Sequence, residues 1–278
     1  MAVRAGAATH PGVRQRNEDA YVVASPVFAV ADGMGGHAGG AEASAIVASE
    51  LESLREGSWL EPSDVLAAVE RAAHRVSGLA EGTGPAPGST LSGVALAEQD
   101  GLPCWLVFNV GDSRTYRLQQ GRIEQVTVDH TRVQEMVQSG RITAEEARSH
   151  AQRNVITRAI GAGTVGPVGL DWTLLVAGAG DRLLICSDGL TGELTEHLIA
   201  AHLLANVDPQ TAADVLVAEA VAAGGRDNVT AVVIDVLELV GHGHAVGIGG
   251  THPDLEVDLG VDGNTVPDAL VSGEEPWL

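Results

Sequence analysis

A chain of 278 residues is long enough for one large domain or two small ones, and its 45% hydrophobic content supplies a sizeable core. The net charge is −21 and all 16 basic residues are arginine, so a uniformly acidic surface argues against nucleic acid or an anionic membrane as partner. No apolar run of about 18 residues marks a membrane span, and the N-terminus lacks the apolar core of a secretory signal, so a cytoplasmic protein is expected. Cys104 and Cys186 lie within apolar runs and are expected as buried, reduced thiols.

In chain order, AYVVAS-P-VFAVAD (20–32) predicts two short strands around a Ser25–Pro26 turn. Two alanine-rich helices follow, over about 39–55 and 64–80, the second with Ser63 able to cap its first turn and Asp64 adding favourable charge there. GTGPAPG (82–88) is a loop, after which STLSGVALAE, LPCWLVFNV and SRTYRLQ predict three strands. A polar helical region over roughly 131–160 interrupts them, and strands resume at LDWTLLVA and DRLLICSD. Helices over about 195–205 and 209–223 precede the last strand, NVTAVVIDVLEL. Hairpin-like strands with grouped helices favour an α+β layered domain with antiparallel sheets over regular β-α-β alternation. Residues 1–240 form this domain; 241–278, with seven acidic residues, no arginine and much glycine, predict a disordered acidic tail.

The aspartates fall where strands start or end. Asp19 precedes strand 20–24 and Asp32 follows strand 27–31, so a hairpin would put both carboxylates at one end. Asp112 follows WLVFNVG, Asp188 follows RLLICS, and Asp227 precedes NVTAVVID. A strand-ending turn explains any one of them, since Asp32, Asp112 and Asp188 have a glycine neighbour and Asp227 lies two residues from one. Five together would repel and hold raised pKa values unless cations neutralised them. Oxygen-only ligands select hard cations such as Mg²⁺ or Mn²⁺, and two such ions can hold a phosphoryl group for in-line attack. There is no Cys/His cluster for zinc, no GxSxG, and no Walker A continuation after DGMGGHAGG.

Eight stretches then occur in order: GVRQRNEDA (12–20), VADGMGGHAGG (30–40), GSTLSGVAL (88–96), NVGDSRTYRL (109–118), VDHTRVQEMV (128–137), NVITRAIG (154–161), ICSDGLTGEL (185–194) and GGRDNVTAVVI (224–234). Together they resemble the PP2C (PPM) family of metal-dependent serine/threonine protein phosphatases, above all its bacterial branch. The resemblance implies a four-layer α-β-β-α sandwich of two antiparallel sheets flanked by helices. It implies two core Mn²⁺ or Mg²⁺ ions, with a third, weaker one in bacterial members. By the same resemblance Asp32 matches the bridging ligand, Gly33 a carbonyl ligand of the second ion, and Asp188 and Asp227 the other carboxylates of the first. Asp19 with Glu18 matches the acidic pair that acts through water, and Asp112 the ligand of the third ion, shared with Asp188. Arg14 matches the arginine that grips the substrate phosphate, and 131–160 matches the flap beside the site.

The resemblance further implies attack on phosphorus by a metal-bridging water, with no phosphoenzyme. The substrates would be phosphoproteins made by serine/threonine kinases. The acidic charge and the lack of an apolar span, rather than the resemblance, predict a soluble enzyme without nucleic-acid or membrane partners, and a monomer is expected. Met34 stands where eukaryotic members carry a histidine proposed as general acid; His37 is the nearby candidate, with loop packing as its alternative role. A catalytically weak or inactive phosphoprotein-binding regulator of the same fold is the competing reading.

Overall fold

Alternating apolar residues sort this chain into layers. In β3 (Val27–Met34), Val27, Ala29 and Ala31 join one buried cluster while Phe28 and Val30 join another. In β6 (Leu102–Val110), Cys104, Leu106 and Phe108 separate from Trp105 and Val107 in the same way. β11 (Arg182–Cys186) and β12 (Val229–Glu238) repeat the pattern on the other side, with Leu184, Cys186, Ala231 and Val233 facing helices and Leu183, Ile185, Val232 and Ile234 facing inward. Such period-two sorting buries both faces of each sheet. The result is helix, sheet, sheet, helix, the predicted four-layer α+β sandwich.

The structure is a computed structural model and describes residues 1–35, 39–56, 59–79, 86–163 and 166–239. The first sheet runs β1 (Ala2–His10), β12, β11, β7 (Arg114–Gln119), β8 (Arg122–Gln125). The second runs β10 (Asp171–Val176), β6, β5 (Leu91–Gln99), β3, β4 (Gly88–Ser89), β9 (Ile160–Gly161), with β2 (Asp19–Ala24) paired to β3. Every pairing is antiparallel. α1 (Gly39–Glu52) and α2 (Pro62–Ser77) cover the second sheet; α5 (Asp188–Thr191), α6 (Glu196–Ala205) and α7 (Pro209–Ala223) cover the first. Both cysteines are free and buried.

Three expectations change. Glu61, not Ser63, stands at the start of α2: its N–H donates to Asp64 Oδ2 at 2.8 Å, and Pro62 takes the first helical position, where a missing N–H costs nothing. The 131–160 region holds only α3 (Arg132–Gln138) and α4 (Ala144–Ser149) as helices. Turns and irregular backbone link them, a bridge from Thr131 to Ile156 closes its base, and Ile160 begins β9. β1 went unanticipated because AVRAGAATH is built of small residues and pairs across more than 200 positions with β12. Among the described residues, no helix is long and apolar enough to cross a membrane. The acidic tail expected over 241–278 lies outside the described residues.

Ile234 is fully buried between the sheets. Ile234→Ala is expected to cost ~2–5 kcal/mol of stability; a urea unfolding midpoint unchanged from wild type would show that the two sheets do not pack there.

Candidate metal centre

Register sets the first pair. In the β2–β3 hairpin Asp19 stands directly opposite Asp32, both at the end away from the Ser25–Pro26 turn. β11 ends at Cys186, so Ser187 and Asp188 emerge beside them from the other sheet. Ser187 Oγ donates to Asp19 Oδ2 at 2.8 Å, and Thr230 Oγ1 of β12 donates to the same oxygen at 2.6 Å. Asp188 lies near enough to Asp32 for each carboxyl to bear on the protonation of the other. Asp112 follows the tight turn at Gly111, is 7% exposed, and lies close enough to Asp188 for that charge to raise its carboxyl.

Asp227 joins from the loop before β12. Its Oδ1 accepts the N–H of Asn228 at 2.9 Å, and its Oδ2 accepts Arg14 Nη2 at 2.8 Å. Arg14 is also held by its Nε on the carbonyl of Arg226, 3.2 Å away, yet its side chain stays 58% exposed. Glu18 is placed mainly by its backbone: its N–H donates to Asn228 Oδ1 at 2.8 Å, and its carbonyl accepts Gly33 N–H at 3.1 Å. Its carboxylate lies against α1, where a side chain on Gly40 would collide with Oε2. Gly33 must be glycine for a similar reason, since a Cβ there would run into the carbonyls of Glu18 and Gly40. The structure thus gathers Asp19, Asp32, Asp112, Asp188, Asp227 and Arg14 at one edge of the sandwich. His37, the candidate proton donor, lies outside the described residues.

The electrostatics follow from crowding. Asp32 and Asp188 keep some surface, but dense surroundings and like charges push both carboxyls upward. For Asp32 burial leads, followed by Asp19 and Asp188; for Asp188 burial leads, followed by Asp227. Burial raises Asp19 to about 6 against the opposing hydrogen bonds of Thr230 and Ser187. Burial, then Asp188 and Asp129, raise Asp112 to about 8. Among the described residues, Asp19 Oδ1 and Asp112 Oδ1 are buried oxygens without a hydrogen-bond partner. Unpartnered, mutually repelling carboxylate oxygens suit a hard cation. Among the described residues no three such groups stand as a ready-made cation shell. The fit therefore rests on donor chemistry and on the unfilled oxygens.

The supporting residues were not anticipated. Ser187, Thr230, Thr90 and Asn228 are ordinary polar residues in sequence, and only pairing brings them to the carboxylates. Thr90 N–H donates to the Asp32 carbonyl at 2.8 Å, and Asn228 Nδ2 ties the carbonyls of Pro11 and Arg16 at 3.0 and 2.9 Å. Beside the centre, a cavity of about 440 Å³ opens between the 131–154 segment and residues 191–196, with Asp112 and Asp188 in its wall.

The sequence profile described as Protein phosphatase 2C matches residues 8–219. The serine/threonine protein phosphatase PstP of Mycobacterium tuberculosis is 41% identical over 235 residues, covering 81% of this chain and 43% of the relative. The chain thus spans less than half the length of that curated relative. Serine/threonine phosphatase stp of Listeria welshimeri is 32% identical over 241 residues, covering 80% of this chain and 91% of the relative. Among solved structures, M. tuberculosis PstP/Ppp superposes with a TM-score of 0.77 at 36% identity, covering 85% of this chain and 99% of that one. A second PstP structure, of the catalytic domain with two manganese ions, gives 0.74 at 35% identity, with 85% and 99% covered. This chain belongs to the protein phosphatase 2C family.

Raised carboxyl pKa values mean the folded state binds protons more tightly than the unfolded chain, so their contribution is present below the ordinary value and lost as pH rises. Carboxylates with lowered values, such as Glu50 and Asp171, are already ionised in both states above about pH 5 and leave that window flat. EDTA-treated protein should therefore lose thermal stability between about pH 5 and about pH 8, as Asp19 and Asp112 ionise around 6 and 8. Mn²⁺ should raise the melting temperature most at the upper end. A melting temperature that climbs over that range, or one indifferent to Mn²⁺, would refute the assignment.

Proposed function

We propose that this chain hydrolyses phosphoserine and phosphothreonine esters of proteins with Mn²⁺ or Mg²⁺. The observation that carries the reading is the convergence of five aspartates and one half-tethered arginine from distant strand ends onto one edge. Asp32, the carbonyl of Gly33, Asp188 and Asp227 would hold the core ions; Asp19 with Glu18 would act through water, and Asp112 with Asp188 would take a third ion. The relatives named as serine/threonine phosphatases and the manganese complex support both the activity and the metal. When bound, the cations neutralise the carboxylates, lower the pKa of water and offset charge on the phosphoryl group.

The chain's own groups do the rest. Arg14, anchored by Nε and by one Nη yet largely exposed, offers its planar fork to phosphate oxygens. Ser187 and Thr230 fix Asp19 so that its free Oδ1 keeps one direction. A cysteine nucleophile is not available. Burial pushes the Cys186 thiol up to about 12 and also raises that of Cys104, leaving neither as thiolate near neutrality. The cavity of about 440 Å³ beside Asp112 and Asp188 is the place proposed for the peptide flanking a phosphoresidue. The chain is proposed to work as a soluble cytoplasmic monomer, residues 1–240 forming the phosphatase domain and 241–278 an acidic tail.

Purified protein should hydrolyse p-nitrophenyl phosphate and a phosphothreonine peptide with Mn²⁺ or Mg²⁺ and stop in EDTA. Asp188→Ala and Asp227→Ala should each lose ~100-fold or more in kcat/KM, on the order of 2.7 kcal/mol, while circular dichroism stays unchanged. Full rates in both variants would remove the metal assignment. An inactive wild type that still binds phosphopeptide would make the chain a binding regulator.

A further inference from the structure

We propose that Glu193 and Arg226 form a positioning pair that decides which guanidinium serves Asp227, holding Arg226 away so that Arg14 faces the phosphate. The inference rests on the phosphatase reading above. Glu193 follows α5 and lines the cavity beside the metal centre, where its side chain is only 4% exposed. It accepts Arg226 N–H at 3.0 Å, Nε at 2.8 Å and Nη2 at 2.8 Å. Arg226 itself is 74% exposed, so the pair has its acid inside and its base outside. An exposed ion pair contributes little stability. This carboxylate is covered and also takes a backbone N–H, so its effect falls on the shape of the 224–227 loop.

That loop is what holds Arg14. The Arg226 carbonyl accepts Arg14 Nε at 3.2 Å, Asp227 Oδ2 accepts Nη2 at 2.8 Å, and the Gly225 carbonyl accepts Val13 N–H at 2.7 Å. The Glu193 carboxylate packs on bare backbone at Gly224, whose φ of +153° lies in a region side chains avoid. A Cβ there would lie 3.1 Å from Glu193 Oε2. Released from Glu193, the Arg226 guanidinium sits one residue from Asp227 and competes with Arg14 for the same carboxylate. Its carbonyl also loses the orientation that Arg14 Nε requires. Glu193 touches neither substrate nor cation in this scheme; it acts through the loop.

The test uses the full chain loaded with Mn²⁺. Inorganic phosphate affinity is measured by calorimetry, and p-nitrophenyl phosphate hydrolysis in the steady state. Glu193→Ala should weaken phosphate binding and raise KM together by about 5–10-fold, with kcat within about 2-fold. Glu193→Gln, whose one oxygen can keep the Arg226 N–H and Nε bonds but whose amide nitrogen cannot accept Nη2, should fall between, with a loss of about 3-fold. Arg14→Ala should mask the effect, so that the Arg14→Ala/Glu193→Ala double variant binds phosphate no more weakly than Arg14→Ala alone. Should Glu193→Ala fail to fold by circular dichroism, Arg226→Lys carries the same test with an expected loss of about 3-fold, since lysine cannot fork. Unchanged affinity and KM, or losses that multiply in the double variant, overturn the proposal. A wild type that binds phosphate without turnover sinks the phosphatase reading and leaves the pair judged on affinity. A wild type that binds no phosphate overturns both.

Discussion

Bringing Asp19, Asp32, Asp112 and Asp188 together costs electrostatic energy, because each carboxylate raises the proton affinity of the next. A flexible chain would relieve that repulsion by moving apart. Here Asp32, Asp112 and Asp188 stand at or just past the ends of strands that are largely buried in the sandwich, and Asp19 is held on β2 by its pairing with β3, so the repulsion is borne by the core. Burying an aliphatic side chain contributes roughly 1.5–3 kcal/mol, and three apolar clusters provide many such contributions. The same crowding that costs stability leaves two buried carboxylate oxygens, Asp19 Oδ1 and Asp112 Oδ1, unpartnered among the described residues.

Apolar burial has no direction and cannot by itself set how one sheet is offset against the other. Polar bonds at the functional end do so. Thr90 and Ser92 of the second sheet's side meet Ser113 and Thr115 at 2.8 and 2.9 Å, buried between the layers. Asp19 is gripped by Ser187 and Thr230, and Glu18 by Asn228, all from the opposite sheet. A buried hydroxyl left without its partner is costly, so these bonds select one offset. That offset is the one in which the aspartates meet.

The flanking segments are tied to the same edge. Buried His130 accepts the Gly111 N–H on Nδ1 at 3.1 Å and meets Asp171 through Nε2 at 3.0 Å. It thereby fastens the Gly111–Asp112 turn to the base of the 131–160 region and to edge strand β10. Arg114 reaches Asp129 through three contacts of 2.7 to 3.0 Å, holding the other side of that turn. Burial opposes the charge on Arg114, yet Asp129 more than offsets it and keeps the guanidinium firmly protonated.

The sequence alone determined most of the strands, an α+β layering with antiparallel sheets, and the aspartates at strand ends; the two-sheet sandwich was implied by the resemblance of the eight motifs. Those features are local: a period of two and a glycine beside a carboxylate are written in consecutive residues. Asp19 opposite Asp32 followed from the shortness of their hairpin. β1 was missed, because small residues carry little pattern and its partner lies at the far end of the chain. Glu61 in place of Ser63 at the start of α2 was a local choice that propensity alone did not make. Only the tertiary structure decided that Ser187 and Thr230 grip Asp19, that Arg14 leans on Asp227, and that Glu193 restrains Arg226. These are contacts between residues 33 to 213 positions apart. Serine, threonine and glutamate are common on any surface, and only the sheet offset turns a few of them into the walls of a site.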